Sequence, residues 1–160
     1  MKSYFMSIAS PVGRILLISD KTHLKTVTFS DELVEESESQ PEILVQSAIQ
    51  LDEYFAGTRT KFDLDLAPDG TEFQKKVWNQ LLRVPFGSTK SYREIAVELG
   101  SSLNTRAVGT ANGKNPIPII VPCHRIIGHD GKLVGYAGGI ERKKWLLLHE
   151  VKHTHNNWLF

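Results

Sequence analysis

Residues 115–128 read Asn115-Pro116-Ile117-Pro118-Ile119-Ile120-Val121-Pro122-Cys123-His124-Arg125-Ile126-Ile127-Gly128. The stretch holds the single cysteine of the chain, followed directly by a histidine and preceded by an apolar run with three prolines in seven residues. Proline lacks an N–H donor and fixes φ, so the run cannot be helical and is expected to form a rigid, slightly stranded support. A thiol on such a support takes its reactivity from its neighbours, which have to be found along the rest of the chain.

Downstream, His129-Asp130-Gly131-Lys132 is a hairpin-type turn. Gly135, Gly138 and Gly139 around Tyr136 suggest a backbone that something approaches closely. A last helix over residues 140–151 is expected to bury Ile140, Trp145, Leu147 and Leu148, with Glu150 on its final turn. An acid there opposes the helix dipole and gains a role only if it faces His124. Upstream, Thr71 caps a helix with the apolar stripe Phe73, Val77, Trp78, Leu81 and Leu82. Ser91 caps a short helix over residues 92–99, with Glu94 placed for a capping box. A third helix opens at Leu103-Asn104 and is closed by Gly113. The last two helices and their Gly-containing turn make a helix-turn-helix candidate. Arg106 is the only charge on the second of them. A major-groove helix carries several long polar side chains, whereas Ala107, Gly109 and Ala111 suit a minor groove or tight packing on another helix.

The first part of the chain reads as three strands joined by short turns, over residues 4–8, 14–19 and 24–29. An acidic loop, a helix from Pro41 to a stop at Gly57 and a strand over residues 61–66 follow. Ala67-Pro68-Asp69-Gly70 marks the best boundary, which divides a domain over 1–70 from one over 71–160. Residues 1–70 carry 6 Lys/Arg against 12 Asp/Glu, and residues 71–160 carry 13 against 6, within a net charge of +1. The basic second part is expected to meet a polyanion. The 41% hydrophobic and 23% charged content is that of a folded globular protein. No apolar run reaches the ~20 residues that cross a bilayer. No secretory signal is evident, and one thiol excludes an internal disulfide and suits a reducing cytoplasm. His149, His153 and His155 are expected to lie in a solvated tail rather than in a metal site.

A lone cysteine is by itself more often inert core than nucleophile. Here an adjacent histidine, a downstream carboxylate and a braced backbone favour a reactive thiolate. Hydrolysis, redox exchange and alkyl transfer all use one, and redox exchange lacks a resolving cysteine.

Pro122-Cys123-His124-Arg125 within its flanks resembles the active-site signature of the O6-alkylguanine-DNA alkyltransferases. The match continues through Phe73, Val77-Trp78, Pro85-Phe86-Gly87, Ser91-Tyr92, Ile95-Ala96, Arg106-Ala107-Val108-Gly109, Gly135-Tyr136, Gly138-Gly139, Lys144-Trp145-Leu146-Leu147 and Glu150, in order. Residues 1–70 resemble the family in size and strand-helix pattern.

The resemblance implies a two-domain α/β protein: a small antiparallel sheet with a helix, ribonuclease H-like, then a mostly helical winged helix-turn-helix domain. It implies single-turnover, cofactor-free and metal-free transfer of an alkyl group from O6 of guanine in double-stranded DNA, with O4-alkylthymine as a second candidate substrate. Cys123 would be the nucleophile, His124 its base, Glu150 the orienting acid, Asn115 the brace of the turn, and Tyr92 a partner of the leaving base. Ile126, Tyr136 and Ala137 would complete the base pocket with Tyr92. Arg106 would enter from the minor groove, with Thr105, Ala107, Arg93, Ser101 and Gly113 also on DNA. The base must flip out, since a stacked O6 alkyl group cannot reach a buried sulfur. A monomer with no membrane association is expected. Cys123 stands where non-catalytic relatives carry tryptophan, which disfavours a damage-binding module without chemistry; a cysteine hydrolase is the remaining alternative. No cysteine-rich N-terminal extension or zinc cluster is present, so no transcriptional role is expected. Ala137 replaces the serine of some relatives, which bears on substrate preference.

Overall fold

The computed structural model describes residues 2–158, with side chains through residue 154. It divides into two compact units, Met1–Asp69 and Gly70–Phe160. The first holds an antiparallel sheet in the order β1 (Tyr4–Ile8), β2 (Ile15–Ser19), β3 (Leu24–Phe29). Alternation puts Ile15, Leu17 and Ser19 of β2 on the buried face. Helix α1 (Glu42–Ala56) packs Leu44, Leu51 and Tyr54 fully out of solvent, each contributing about 1.5–3 kcal/mol. It starts after Pro41 and stops at Gly57, whose φ of 84° closes the left-handed cap.

The strand expected over residues 61–66 is not formed: only Leu66 bridges, in parallel, to Leu24. Phe62, Leu64 and Leu66 do alternate inward, as in a strand. The backbone of Asp63 pairs instead with the side chain of Gln50, at 2.8 and 3.0 Å. A glutamine amide donates and accepts like a peptide group, and it replaces the ladder here.

The second unit is mostly helical: α2 (Glu72–Leu81), α3 (Tyr92–Glu98), α4 (Thr105–Gly113) and α5 (Ile140–Trp158). Capping boxes at Thr71/Gln74 and Ser91/Glu94 start α2 and α3. A 3-10 turn, Ser102–Asn104, leads into α4 where one continuous helix was expected. Leu82, placed in the α2 stripe by spacing, is 47% exposed because the helix ends before it. Among the described residues the only strand pairing here joins β4 (Lys90–Ser91) and β5 (Ile126–Ile127) in parallel. The turn at residues 128–132 forms, yet residues 128–139 carry no strand among the described residues, so the wing is a loop.

Helix α5 departs most from the sequence reading. It runs past Val151, so Glu150 lies inside it rather than on its last turn. Its buried face is Lys143, Leu146, His149 and Glu150, while Ile140 and Leu148 are exposed. His149 is therefore in the core rather than in a solvated tail, stacked on Trp145 with centroids 4.8 Å apart. The side chain of His155 lies outside the described residues. No described helix is long and apolar enough to cross a membrane.

Ser91 is buried and caps the helix that carries Tyr92. Ser91→Ala is expected to lower the unfolding free energy by about 1 kcal/mol, read as a lower urea midpoint with unchanged slope.

Candidate active site and nucleic-acid interface

The run before Cys123 is a series of turns rather than a strand, because its prolines leave no ladder of donors. Asn115 brackets it: Nδ2 donates to Val121 O at 2.8 Å and Oδ1 accepts from Ile117 N at 3.0 Å. Within it Ile119 sits at φ 74°, a left-handed conformation that costs about 1–3 kcal/mol for a β-branched residue. Cys123 then opens a 3-10 turn through Arg125, and both flanking segments hold it down: its N–H reaches Val121 O at 2.8 Å, and Asn112 Nδ2 reaches its carbonyl at 3.4 Å.

Beneath the turn, Glu150 gathers the donors. His124 Nε2 lies 2.6 Å from Oε2, Arg125 Nε 2.8 Å from Oε1 and Nη2 3.1 Å from Oε2, and Gly87 N 3.1 Å from Oε1. Arg125 Nη1 also donates to Val84 O at 2.7 Å. Gly87 reaches the carboxylate only as glycine: its φ is +80°, and a Cβ would lie 2.1 Å from Thr154 Oγ1. His124 Nδ1 is buried and has no protein partner among the described residues.

Burial raises the Glu150 carboxyl, but the hydrogen bonds and charge of His124 and Arg125 outweigh it and hold the group well below the usual carboxylate range. Burial also lowers His124, against the opposing pull of Glu150, so its neutral form is favoured. Burial pushes the Cys123 thiol up to about 11, with Asn115 and the Lys143 charge pulling it back. Lys143 is fully buried on α5, donating to Ile126 O at 2.6 Å and Val134 O at 2.8 Å, and burial lowers it to about 8.

Tyr92 stands at the start of α3 with its hydroxyl donating to Val134 O at 2.9 Å. Gly109 faces its ring, and a Cβ there would meet it at 3.7 Å, an ordinary van der Waals contact. Tyr136 is buried, and burial followed by the Cys123 charge raises its hydroxyl. Ile126 is buried and Ala137 exposed. Arg106, Ala107 and Gly113 share the solvent face of α4, and Arg93 is exposed on α3. The hydroxyls of Thr105 and Ser101 are used locally, on Ser102 O at 2.6 Å and Leu103 N at 3.1 Å.

Cys123, His124, Glu150 and Asn115 thus converge. Sequence reasoning missed Arg125 and Lys143. Arg125 lay inside the quoted motif but was given no role. Lys143 was detectable only from its spacing, one turn before Leu146 and two before Glu150. Among the described residues no group of three or more His, Cys, Asp or Glu is placed to hold a metal.

Residues 72–152 match the model of the 6-O-methylguanine DNA methyltransferase, DNA binding domain, and residues 3–68 that of the corresponding ribonuclease-like domain. A methylated-DNA–protein-cysteine methyltransferase of Methanosarcina acetivorans is 48% identical over 149 residues, covering 90% of this chain and 96% of its own. The crystal structure of Mycobacterium tuberculosis O6-methylguanine methyltransferase aligns with TM-score 0.85 at 44% identity, over 95% of this chain and 94% of that one. A structure of Mycobacterium tuberculosis OGT in complex with DNA aligns with TM-score 0.84 at 44% identity, over 93% of each chain.

The charge cluster fixes a pH dependence. His124 titrates below its ordinary 6.5 in the fold, so the unfolded chain binds the extra proton and stability falls as pH drops below 6.5. Glu150 adds a second loss as pH falls below 4.5 toward its depressed folded value. Glu150→Gln leaves Arg125 buried without its counter-charge. It is expected to lose about 3 kcal/mol at pH 7 and to lack the second acid phase, read from urea titrations between pH 7 and pH 3.

Proposed function

Because the chain belongs to the 6-O-methylguanine DNA methyltransferase family, we propose that it repairs O6-alkylguanine in duplex DNA by moving the alkyl group irreversibly onto Cys123. The observation that carries this reading is the buried Glu150–His124 pair, 2.6 Å apart, in the residue next to the single cysteine. Glu150 accepts Nε2–H and so keeps the His124 lone pair on Nδ1. Across a bridging water, Nδ1 takes the Cys123 proton as sulfur attacks the alkyl carbon opposite O6. The C–O6 bond breaks and its electron pair passes to the base, which takes a proton from the Tyr92 hydroxyl and remains in the DNA as guanine; the proton held by His124 passes through water to restore Tyr92. Sulfur keeps the alkyl group as a thioether, so each chain reacts once. The step balances with a thiol, an electrophile and a proton acceptor, and draws on no cofactor.

Lys143 supplies a buried positive charge near the developing thiolate, which is why it helps lower the thiol against its burial. Asn115 holds the turn, and Tyr92, Tyr136, Ile126 and the backbone at Ala137 form the base pocket. Tyr92 must give up Val134 O to address a base, and that exchange couples substrate entry to the loop over residues 128–139. Arg106 fills the gap left by the flipped nucleotide from the minor groove, on a helix whose Ala107 and Gly113 let backbone approach. Ser101 and Arg93 flank that face as phosphate contacts, and Thr105 joins them when its hydroxyl releases Ser102 O. O4-alkylthymine presents the same alkyl oxygen and is a second substrate. The chain acts as a monomer in a reducing cytoplasm, where a free thiol persists.

Incubation with duplex DNA containing O6-methylguanine is expected to add one methyl mass to the Cys123 peptide and none to Cys123→Ala, which still binds DNA. Tight binding with an unmodified peptide would assign damage recognition without chemistry. Ester turnover with regenerated thiol would assign a hydrolase. Arg106→Ala is expected to slow transfer from duplex at least about tenfold more than transfer from free O6-methylguanine, because only the duplex requires flipping. Equal losses on both would remove Arg106 from that role.

A further inference from the structure

Arg106, Ala107, Thr110 and Gly113 make the solvent face of α4, and exposed Lys114 follows them. Neither α4 nor the 3-10 turn before it carries an acid. One side chain at the head of this face does not belong to a polar surface: Leu103, in the middle of the turn, is 92% exposed. The core does not use it, since Val108, Ala111 and Asn112 provide the buried side of α4. Its backbone is nevertheless pinned. Ser101 Oγ accepts from Leu103 N at 3.1 Å, Asn104 N donates to Ser101 O at 3.1 Å, and Thr105 Oγ1 donates to Ser102 O at 2.6 Å. Leu103 is presented on a fixed turn, three residues before Arg106, a spacing that puts two side chains on one face.

We infer that Leu103 is a further DNA-contacting residue, packing its isobutyl group against the deoxyribose walls of the minor groove beside the step that Arg106 enters. This rests on the proposed minor-groove, base-flipping reading. Leu103 lies in the 3-10 turn and Arg106 in the first turn of α4, so the two are offset by about 5 Å, between one and two base-pair rises of about 3.4 Å. Leu103 therefore meets the sugars about one to two pairs from the flipped nucleotide while Arg106 occupies the stack. Sugar C–H surface is what an isolated leucine can bury on DNA, and it is the same for every sequence. The cations Arg106 and Lys114, with no acid on α4 or its leading turn and with the acids beside Arg93 on α3 committed to Ser91 N (Glu94) and to Lys90 (Glu98), select a polyanion over an apolar protein surface. Such a contact adds affinity without releasing counterions, unlike a lysine or arginine in the same place.

The test is Leu103→Ser, assayed for duplex affinity across a salt series, for methyl transfer from duplex and from free O6-methylguanine, and for self-association by sedimentation. The residue is exposed, so the melting temperature should not move, which separates a contact effect from misfolding. The expected result is about tenfold weaker duplex binding, consistent with partial burial of a leucine side chain. The slope of log affinity against log salt should be unchanged and transfer from the free base intact. Duplex affinity equal to that of the unsubstituted protein overturns the inference and leaves the repair reading standing. Lost self-association with unchanged DNA affinity also overturns it, reassigning Leu103 to a second copy of the chain. If the unsubstituted protein takes no methyl from duplex DNA, the repair reading falls and this contact falls with it.

Discussion

The carboxylate of Glu150, 1% exposed, accepts from His124, from two nitrogens of Arg125 and from the amide of Gly87. Taken out of water alone, a carboxylate costs several kcal/mol, which only good geometry and opposite charge repay. Arg125 supplies the charge. That leaves His124 free of the duty of balancing Glu150, and full burial of its ring favours the neutral form. A neutral imidazole with Nε2–H spent on a carboxylate is a base at Nδ1, which is what a thiol needs beside it. Arg125 thus makes His124 useful without touching sulfur.

The same interaction fixes the surrounding backbone. It ties α5 to the 3-10 turn of Cys123 and to the loop ending at Gly87, while Arg125 Nη1 secures Val84 O. Two turns earlier on α5, Lys143 reaches up to Ile126 O and Val134 O. One face of one helix therefore holds the segment after Cys123 from below at both ends. Asn115 does the corresponding work before it, against the strain stored at Ile119. The sulfur is positioned by polar groups bonded to one another, with His124 Nδ1 left over to act as a base, and a network of this kind is specific because losing one member strands the others.

Local chemistry made much of this legible before any coordinates. Alternation in residues 4–8, the apolar run over 14–19 and the Thr and Val content of 24–29 marked three strands, and Thr71, Ser91 and Gly57 marked helix ends through caps that act within a turn or two. What escaped was set by partners distant in sequence. Residues 61–66 alternate like a strand, but Gln50 takes the backbone bonds of Asp63, and Leu24 N donates to Asp65 O. Three of the four residues on the buried face of α5 are polar, so an apolar-stripe rule turned the helix toward Ile140 and Leu148, the latter 59% exposed. Lys143 and Arg125 were hidden for the same reason: nothing in a linear pattern distinguishes a buried, paired cation from a solvated one. Cys123, His124, Asn115 and Glu150 were named because a motif carries their order, and only the fold shows the turn of Cys123 held by the Asn115 amide and His124 held by the Glu150 carboxylate.

The proposed transfer to Cys123 turns on the protonation state of His124, and nitrogen-15 NMR of the imidazole at pH 7 measures it directly. The expected spectrum is that of a neutral ring protonated at Nε2, with the Nδ1 shift of an unprotonated nitrogen persisting as pH is lowered past 6.5. An imidazolium at pH 7, or a proton on Nδ1 in the neutral ring, would contradict it, since neither leaves a lone pair to take the proton of Cys123.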